Sequence, residues 1–407
     1  MQLARRVMVA VLACATCGCA GDATPFAEAV ARRDSAAVHI VSSDLTQITR
    51  SCQLDDQPRL VVGNRPDDPA HQLHRVFGAS LLSDGRLVVV DQGSQRLRFY
   101  SAEGDFLTAA GGRGQGPGEF QSAFLLWRQP GDTLWVGDYR PWEFEVFSPE
   151  GEWVRSVRPE PWYPNPPRAF ALLSDGRAVL GTENITDRSP DFRFQSMSLL
   201  SHAAGGALRD TIAVVETMRW GKTSDDPRAG WIYPWFESTI EMTARGDRVI
   251  LAHGATSELR FYALTDSLEL KQIVRWAAPA RTVSAADVEA GKQALVAQYA
   301  DVEGEMRALM VDPLISDDRP AADVFPALID VQAGTDDSVW IKQYPRPGGP
   351  DLATWLRFDS EGTYTCRLEV PAEDFEVVEF GADYIVVEVE DALGVEMVAV
   401  YGVAMDL

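Results

Sequence analysis

The strongest constraint on this chain is a repeated unit made of two hairpins. Its clearest copy reads Leu-Leu-Ser-Asp-Gly-Arg-Leu-Val-Val-Val-Asp over 81–91, then Arg-Leu-Arg-Phe-Tyr-Ser-Ala-Glu-Gly-Asp-Phe-Leu over 96–107. The pattern is strand, Asp-Gly turn, strand, loop, strand, Glu-Gly turn, strand. An Asp-Gly pair between apolar runs suits a tight hairpin, because glycine accepts the positive φ that the turn demands. Further copies centre on Gly131-Asp132, Asp175-Gly176, Gly246-Asp247, Asp336-Asp337 and the Gly381 to Asp383 turn, each followed by an apolar strand. Six four-stranded units predict an all-β fold, a six-bladed β-propeller.

Three of the five turn-to-turn intervals are about 43–48 residues, and the two longer ones imply insertions. One insertion is the aromatic and proline-rich stretch from Trp220 to Phe236. The other, 283–310, has helical composition, with Ser284 as N-cap, Asp287 and Glu289 in the first turns and Pro313 beyond the end. It predicts an inserted helix between blades four and five. The sixth copy shows three strands, so closing the ring requires a fourth from the N-terminal side, for which 58–63 is the candidate. The propeller then spans 58–407, and 20–57 is an N-terminal linker and lead-in.

Residues 1–19 read as a signal peptide: Arg5-Arg6, the apolar stretch Val7 to Ala13, then a cluster of small residues and cysteines. The apolar run is too short to span a bilayer. A cysteine at its end resembles the lipobox of bacterial lipoproteins, whose new N-terminal cysteine is acylated. Cys19 has the better apolar length before it and is the preferred anchor; Cys14 has the better preceding residues and is the alternative. A plain secretory signal cut near Ala20 is the competing reading. Ala follows either cysteine, and in well-studied Gram-negative lipoproteins an Asp there favours inner-membrane retention. The expected location is therefore the periplasm, with a lipid anchor in the outer membrane as the sole membrane attachment. Export places Cys52 and Cys366 in an oxidising compartment, and ring closure brings their segments together, so a disulfide is expected between them.

The run Gly111-Gly-Arg-Gly-Gln-Gly-Pro-Gly-Glu-Phe120 resembles the Gly-x-Gly-x-Gly-Pro-Gly-Glu-Phe link of NHL-type repeats. With Asp84-Gly85, Asp91 and Arg96-Leu97 it makes the first blade similar to one of those repeats. The whole chain resembles six-bladed propeller lipoproteins of uncharacterised bacterial families. Such folds host binding proteins and several unrelated enzymes, so the fold leaves function open. Exposed backbone N–H groups in the Gly-rich run suit an anion. The run lacks the Lys-Ser/Thr of a P-loop, however, and Pro117 removes a donor, which favours a structural link.

In a propeller, connections from each outer strand to the next inner strand share one face with the loops joining the two middle strands. On that face the sequence places Trp142, Trp162, Tyr163, Trp220, Trp231, Tyr233 and Trp235, with Arg113 and Arg168 beside them. Aromatics among prolines form amphipathic surfaces suited to a protein, peptide or glycan partner. The competing reading is that they pack the insertions onto the rim. Asp91, Asp138 and Asn184 are weak metal candidates. Resemblance to calcium-dependent lactonases on six-bladed propellers implies Glu, Asn and Asp ligands at the central channel, but ordinary loop turns also use these residues. His39, His71, His74, His202 and His253 show no metal spacing, and no Gly-x-Ser-x-Gly elbow is present. No catalytic residue is assigned. The acidic stretches Glu373-Asp374 and Glu388 to Asp391 read as solvated strand edges and turns.

With 37 basic against 60 acidic residues and a formal net charge of −23, a nucleic-acid partner is disfavoured. The sequence thus predicts an exported, lipid-anchored, monomeric binding or interaction module without a cofactor, using its aromatic loop face. The alternative is a propeller hydrolase or lyase, lactonase-like or NHL-enzyme-like, that depends on a metal such as Ca2+.

Overall fold

The Asp-Gly pairs turn the chain as their chemistry requires. Gly85 and Gly176 take φ of +88° and +83°, and in both turns the preceding Asp fixes the following Arg. Asp84 accepts from Arg86 N at 3.1 Å and Nε at 2.7 Å, and Asp175 accepts from Arg177 N at 3.0 Å and Nε at 2.7 Å. A computed structural model describes residues 30–405 except 47, 49, 66, 164, 185–189 and 278–280. The signal segment 1–19, with Cys14 and Cys19, lies outside the described residues.

The hairpins join into six antiparallel four-stranded blades arranged in a ring, at 76–111, 123–157, 168–220, 240–277, 330–371 and 375–405. The last of these takes its fourth strand from the N-terminal side. Leu60–Val62 pairs antiparallel with 398–400, and Cys52–Leu54 continues along 403–405.

The apolar core is divided among the spaces between neighbouring blades. Val88, Val90 and Leu97 of blade one meet Leu134, Val136 and Phe147 of blade two. At the seam between blades six and one, Val386 and Val398 meet Leu87 and Tyr100, with Leu60 and Val62 in the same cluster. Each such side chain contributes roughly 1.5–3 kcal/mol through burial. Because each blade is apolar on both faces, a ring left open would expose two of these faces to water.

The lead-in is more than a linker. Val38–Asp44 adds a parallel strand outside the fourth strand of blade four, Leu268–Ala277, and Val30–Ser35 pairs antiparallel beyond it. Val41 is fully buried and joins Ile48 in the core between blades four and five. Ser51 then bridges to Arg367 of blade five, and Cys52 forms a disulfide with Cys366 on that blade's outer strand. The segment therefore straps blades four, five and six together.

The insertion after blade four begins with the capping box that Ser284 and Asp287 encode. Ser284 Oγ accepts from Asp287 N at 3.3 Å, and the Asp287 carboxylate accepts from Ser284 N at 2.8 Å. One helix was expected to 310, but three short ones are present: α1 (Ala285–Gln298), α2 (Gly304–Met310) and α3 (Asp312–Ile315). The first break spans 299–303, and α2 opens on Gly304 with φ of +60°. No helix among the described residues is long and apolar enough to cross a membrane.

Both cysteines are buried among Trp355, Leu368 and Val370, and their bond closes a loop of most of the chain, so it constrains the unfolded state strongly. Replacing Cys366 with Ser should cost about 2–5 kcal/mol, read from denaturant melts of the variant and the parent. Alkylation followed by mass spectrometry should label neither thiol until the protein is unfolded and reduced.

Candidate functional site

Charged residues collect where the inner strands of blades three to six begin, at one mouth of the central channel. Arg168, the first residue of the inner strand of blade three, pairs with Glu241 of blade four at 3.1 Å. Asp330 opens the inner strand of blade five and accepts from Gln332 Nε2 at 2.9 Å. Lys342, on the second strand of blade five, bonds Glu376 of blade six at 2.9 Å. Glu396 accepts from Val76 N of blade one at 2.7 Å, and with Glu376 and Glu388 it lines a cavity of about 250 Å3.

Burial governs the protonation of these groups. It pushes Glu241 up to about 7 against the pull of Arg168, with Asp330 adding repulsion. It also pushes Glu388 up to about 7, reinforced by Glu396 and Glu376 and opposed by the Gly78 N–H. Glu388 Oε1 is buried with no hydrogen-bond partner among the described residues. Asp330 is raised by burial as well. Carboxyl groups poised near neutrality at a channel mouth can bind a cation when ionised or move a proton. Around them stand exposed Phe77 at the start of the first blade, exposed Tyr139 against Phe124 (5.8 Å between ring centres), and exposed Tyr233, whose phenol is raised by burial and by the charge of Glu183.

At the opposite ends of the inner strands, a polar network joins three blades beside a cavity of about 610 Å3. Glu379 accepts from Ser80 and from Tyr384 Oη at 2.9 Å and faces Arg128 at 3.6 Å. Arg128 also reaches Asp132 at 3.0 Å, so one network of polar groups pins blades one, two and six.

The aromatic residues do not form one surface. The segment after blade two docks on the far turn of blade three: Glu160 bridges Ala207, and the Tyr163 hydroxyl lies 3.0 Å from His202 Nε2. Trp220 and Trp231 lie tilted to each other with ring centres 5.7 Å apart at the other end of that hairpin, where Trp220 pairs with Arg193. The third strand there, Arg193–His202, has 10 residues. A strand of that length puts roughly 30 Å between the two groups. Trp142 packs edge-on against Phe144 at 5.5 Å, within the core between blades two and three.

Trp235 is 6% exposed. Arg319 stacks over its ring at 4.0 Å, and Gly291 of α1 lies so close that an added Cβ would come within 2.9 Å of the ring. Trp235 therefore seats the helical insertion. Trp162, 77% exposed, remains as a free surface aromatic.

The weak metal candidates are each engaged locally. Asp91 is buried and pairs with Arg98 at 2.7 Å. Asp138 accepts from Gln121 N at 2.7 Å and Ser122 N at 2.8 Å. Asn184 exchanges hydrogen bonds with Ser198. Among the described residues, no three His, Cys, Asp or Glu side chains gather as a metal site.

In the Gly-rich link, Glu119 takes the backbone N–H groups of Gln115 at 3.1 Å and Gly116 at 2.9 Å, and Phe120 is fully buried. Arg113 is exposed beside it.

Glu241, Asp330, Glu376 and Glu388 were not singled out from the sequence, and Glu388 was read as a solvated edge. A usable signal existed. Glu241 and Glu376 are each the second residue of an inner strand, where blades one and two carry Phe77 and Phe124.

No family model matches the chain, and no curated protein matches it in sequence. Among solved structures it is similar to a Bacteroides fragilis protein thought to be exported, at 11% identity and a TM-score of 0.47 over 88% of this chain and 96% of that one. A member of the DUF4221 family from Bacteroides vulgatus gives 10% and 0.48 over 88% and 99%. Virginiamycin B lyase from Staphylococcus aureus gives 11% and 0.37 over 87% and 99%. These are likenesses of shape.

Two outcomes follow. An unfolded Glu388 would lose its proton near 4.5, whereas the folded one keeps it to about 7. The folded state then binds the extra proton between those values, so this group's stabilising contribution is complete below about 4.5 and is lost as pH rises through about 7. Glu388→Gln should therefore be more stable than the parent at pH 8, by on the order of 2 kcal/mol, with the gap closing toward pH 5 in thermal melts. Trp235→Ala should cost about 3–5 kcal/mol in urea unfolding, while Trp162→Ala should stay within about 0.5 kcal/mol of the parent.

Proposed function

We propose that this protein is an exported, lipid-anchored binding propeller whose channel mouth receives a cationic ligand, most simply a basic segment of a peptide or protein partner. The observation that carries the binding reading is the set of half-buried carboxyl groups at the mouth, Glu241, Asp330 and Glu388, beside exposed aromatic rings. A lysine or arginine side chain placed there gains a counter-charge and an aromatic face together. Export is supported by the buried Cys52–Cys366 disulfide, a bond that persists in oxidising compartments. The anchor rests on the lipobox-like cluster, with Cys19 as the acylated residue.

The channel mouth replaces the broad aromatic face as the contact surface, since Trp142 and Trp235 are used in packing. Trp231 and Tyr233 are retained as flanking contacts, and Arg168 holds Glu241 in place.

Calorimetric titration with a lysine-rich peptide and an acidic peptide of equal length tests the reading. Ionised carboxylates bind the cation and protonated ones do not, so affinity for the basic peptide should rise as pH increases through about 7. Glu241→Gln combined with Glu376→Gln should weaken it about tenfold or more. Equal binding of the two peptides would defeat the proposal. A rise in melting temperature with Ca2+, reversed by EDTA, would instead make a divalent cation the ligand and revive the metal-dependent hydrolase or lyase reading. Separately, Cys19→Ser should move the protein from the membrane to the soluble fraction of the cells that make it.

A further inference from the structure

A second cavity, of about 470 Å3, lies against blade five, between the N-terminal strap and the chain segments on either side of the helical insertion. Its walls carry Arg281, Arg346 and Arg367 and no carboxylate, although the chain has 60 acidic residues against 37 basic ones. The inverted charge is local and distinct from the acidic channel mouth.

The three guanidinium groups are held differently. Arg367 pairs with Glu369 at 2.6 Å. Arg346 lies over the Phe325 ring at 5.8 Å and acts on Asp287 in the first turn of α1. Arg281 is half-buried and donates to the backbone oxygens of Phe325 and of Ala255, the latter at 3.1 Å. It has no carboxylate partner among the described residues. Carbonyl oxygens orient a guanidinium but bring no full counter-charge, and burial together with Arg346 holds Arg281 below its usual value. A partly desolvated cation facing a second cation is costly unless an anion joins them.

The remaining wall is flat and aromatic. Phe325 and Tyr344 stack at 5.8 Å with their planes 30° apart, and Phe236 packs against Phe325 at 4.7 Å. Leu45 and Ile48 of the N-terminal strap close one side. The volume lies within the range of cavities that hold drug-sized ligands.

We propose that this cavity is a second binding site, for a small anion with a flat apolar body, an aryl carboxylate or aryl phosphate. The anionic head meets Arg281 and Arg346, and the ring lies on Phe325 and Tyr344. Because strap residues form one wall, occupancy also fastens the strap to blade five.

The test uses the full mature chain with its disulfide intact and ligand-observed NMR titrations of phenyl phosphate, benzoate and benzylamine. The two anions should bind saturably and benzylamine should not. Arg281→Gln should weaken phenyl phosphate about tenfold, the scale of one lost charge-assisted hydrogen bond. Thr354→Trp, which fills the cavity from a strand in its wall, should abolish binding. Folding of each variant is confirmed by its melt, and if Arg281→Gln does not fold, Thr354→Trp decides alone. Benzylamine binding as well as the anions, or a phenyl phosphate titration that Thr354→Trp leaves unchanged, would overturn the proposal.

Discussion

Everything in this fold depends on apolar packing between blades. A blade is a twisted sheet with two apolar faces, and neither is covered by the blade's own strands. Leu97 and Val136 are buried only because blade one meets blade two, and Val62 and Val398 only because blade six meets blade one. The ring is stable when all such seams are made. Closing it with Leu60–Val62, a strand from the opposite end of the chain, makes the last seam a long-range contact whose loop-closure entropy is large. The strap and the Cys52–Cys366 bond act on that same term, holding the N-terminal segment beside blades five and six.

The two ends of the channel show opposite treatments of buried charge. At one end Glu379 accepts from Ser80 and Tyr384 and faces Arg128; burial still holds its carboxyl above the usual range, but the network locks neighbouring blades. At the other, Glu388 keeps an oxygen with no partner among the described residues, and Glu241 has the exposed Arg168 to set against burial and Asp330. Incomplete satisfaction of this kind is unfavourable for folding, and a cationic group from outside completes it.

The parts of the fold legible in the sequence were those set by local chemistry. Asp84-Gly85 and Asp175-Gly176 mark their hairpins because the turn demands a positive φ, and Ser284 and Asp287 mark a helix start because they cap each other. What was missed depends on long-range placement. Val38–Asp44 pairs in parallel with a strand some two hundred residues away in sequence, and no turn announces such a partner. Trp162 and Trp231 belong to connections that look alike in sequence, yet the long hairpin of blade three separates them. Trp235 reads as a surface aromatic until Gly291 and Arg319 are seen against it. Glu241 and Glu388 read as ordinary strand polarity because burial at a channel mouth is set by the ring.

The strap also decides how the molecule carries tension. A pull on the N-terminal end is first taken by Val30–Ser35 and Val38–Asp44 against blade four, and what passes beyond them reaches Cys52 and runs through the sulfurs to the outer strand of blade five. The short strand Leu60–Val62, held by its pairing with 398–400, its buried side chains and the flanking Arg59–Asp383 pair, lies beyond that junction and is spared. A ring loaded at that end would therefore strain the strap on blade four and a covalent bond to blade five, while the strand that closes the circle stays slack.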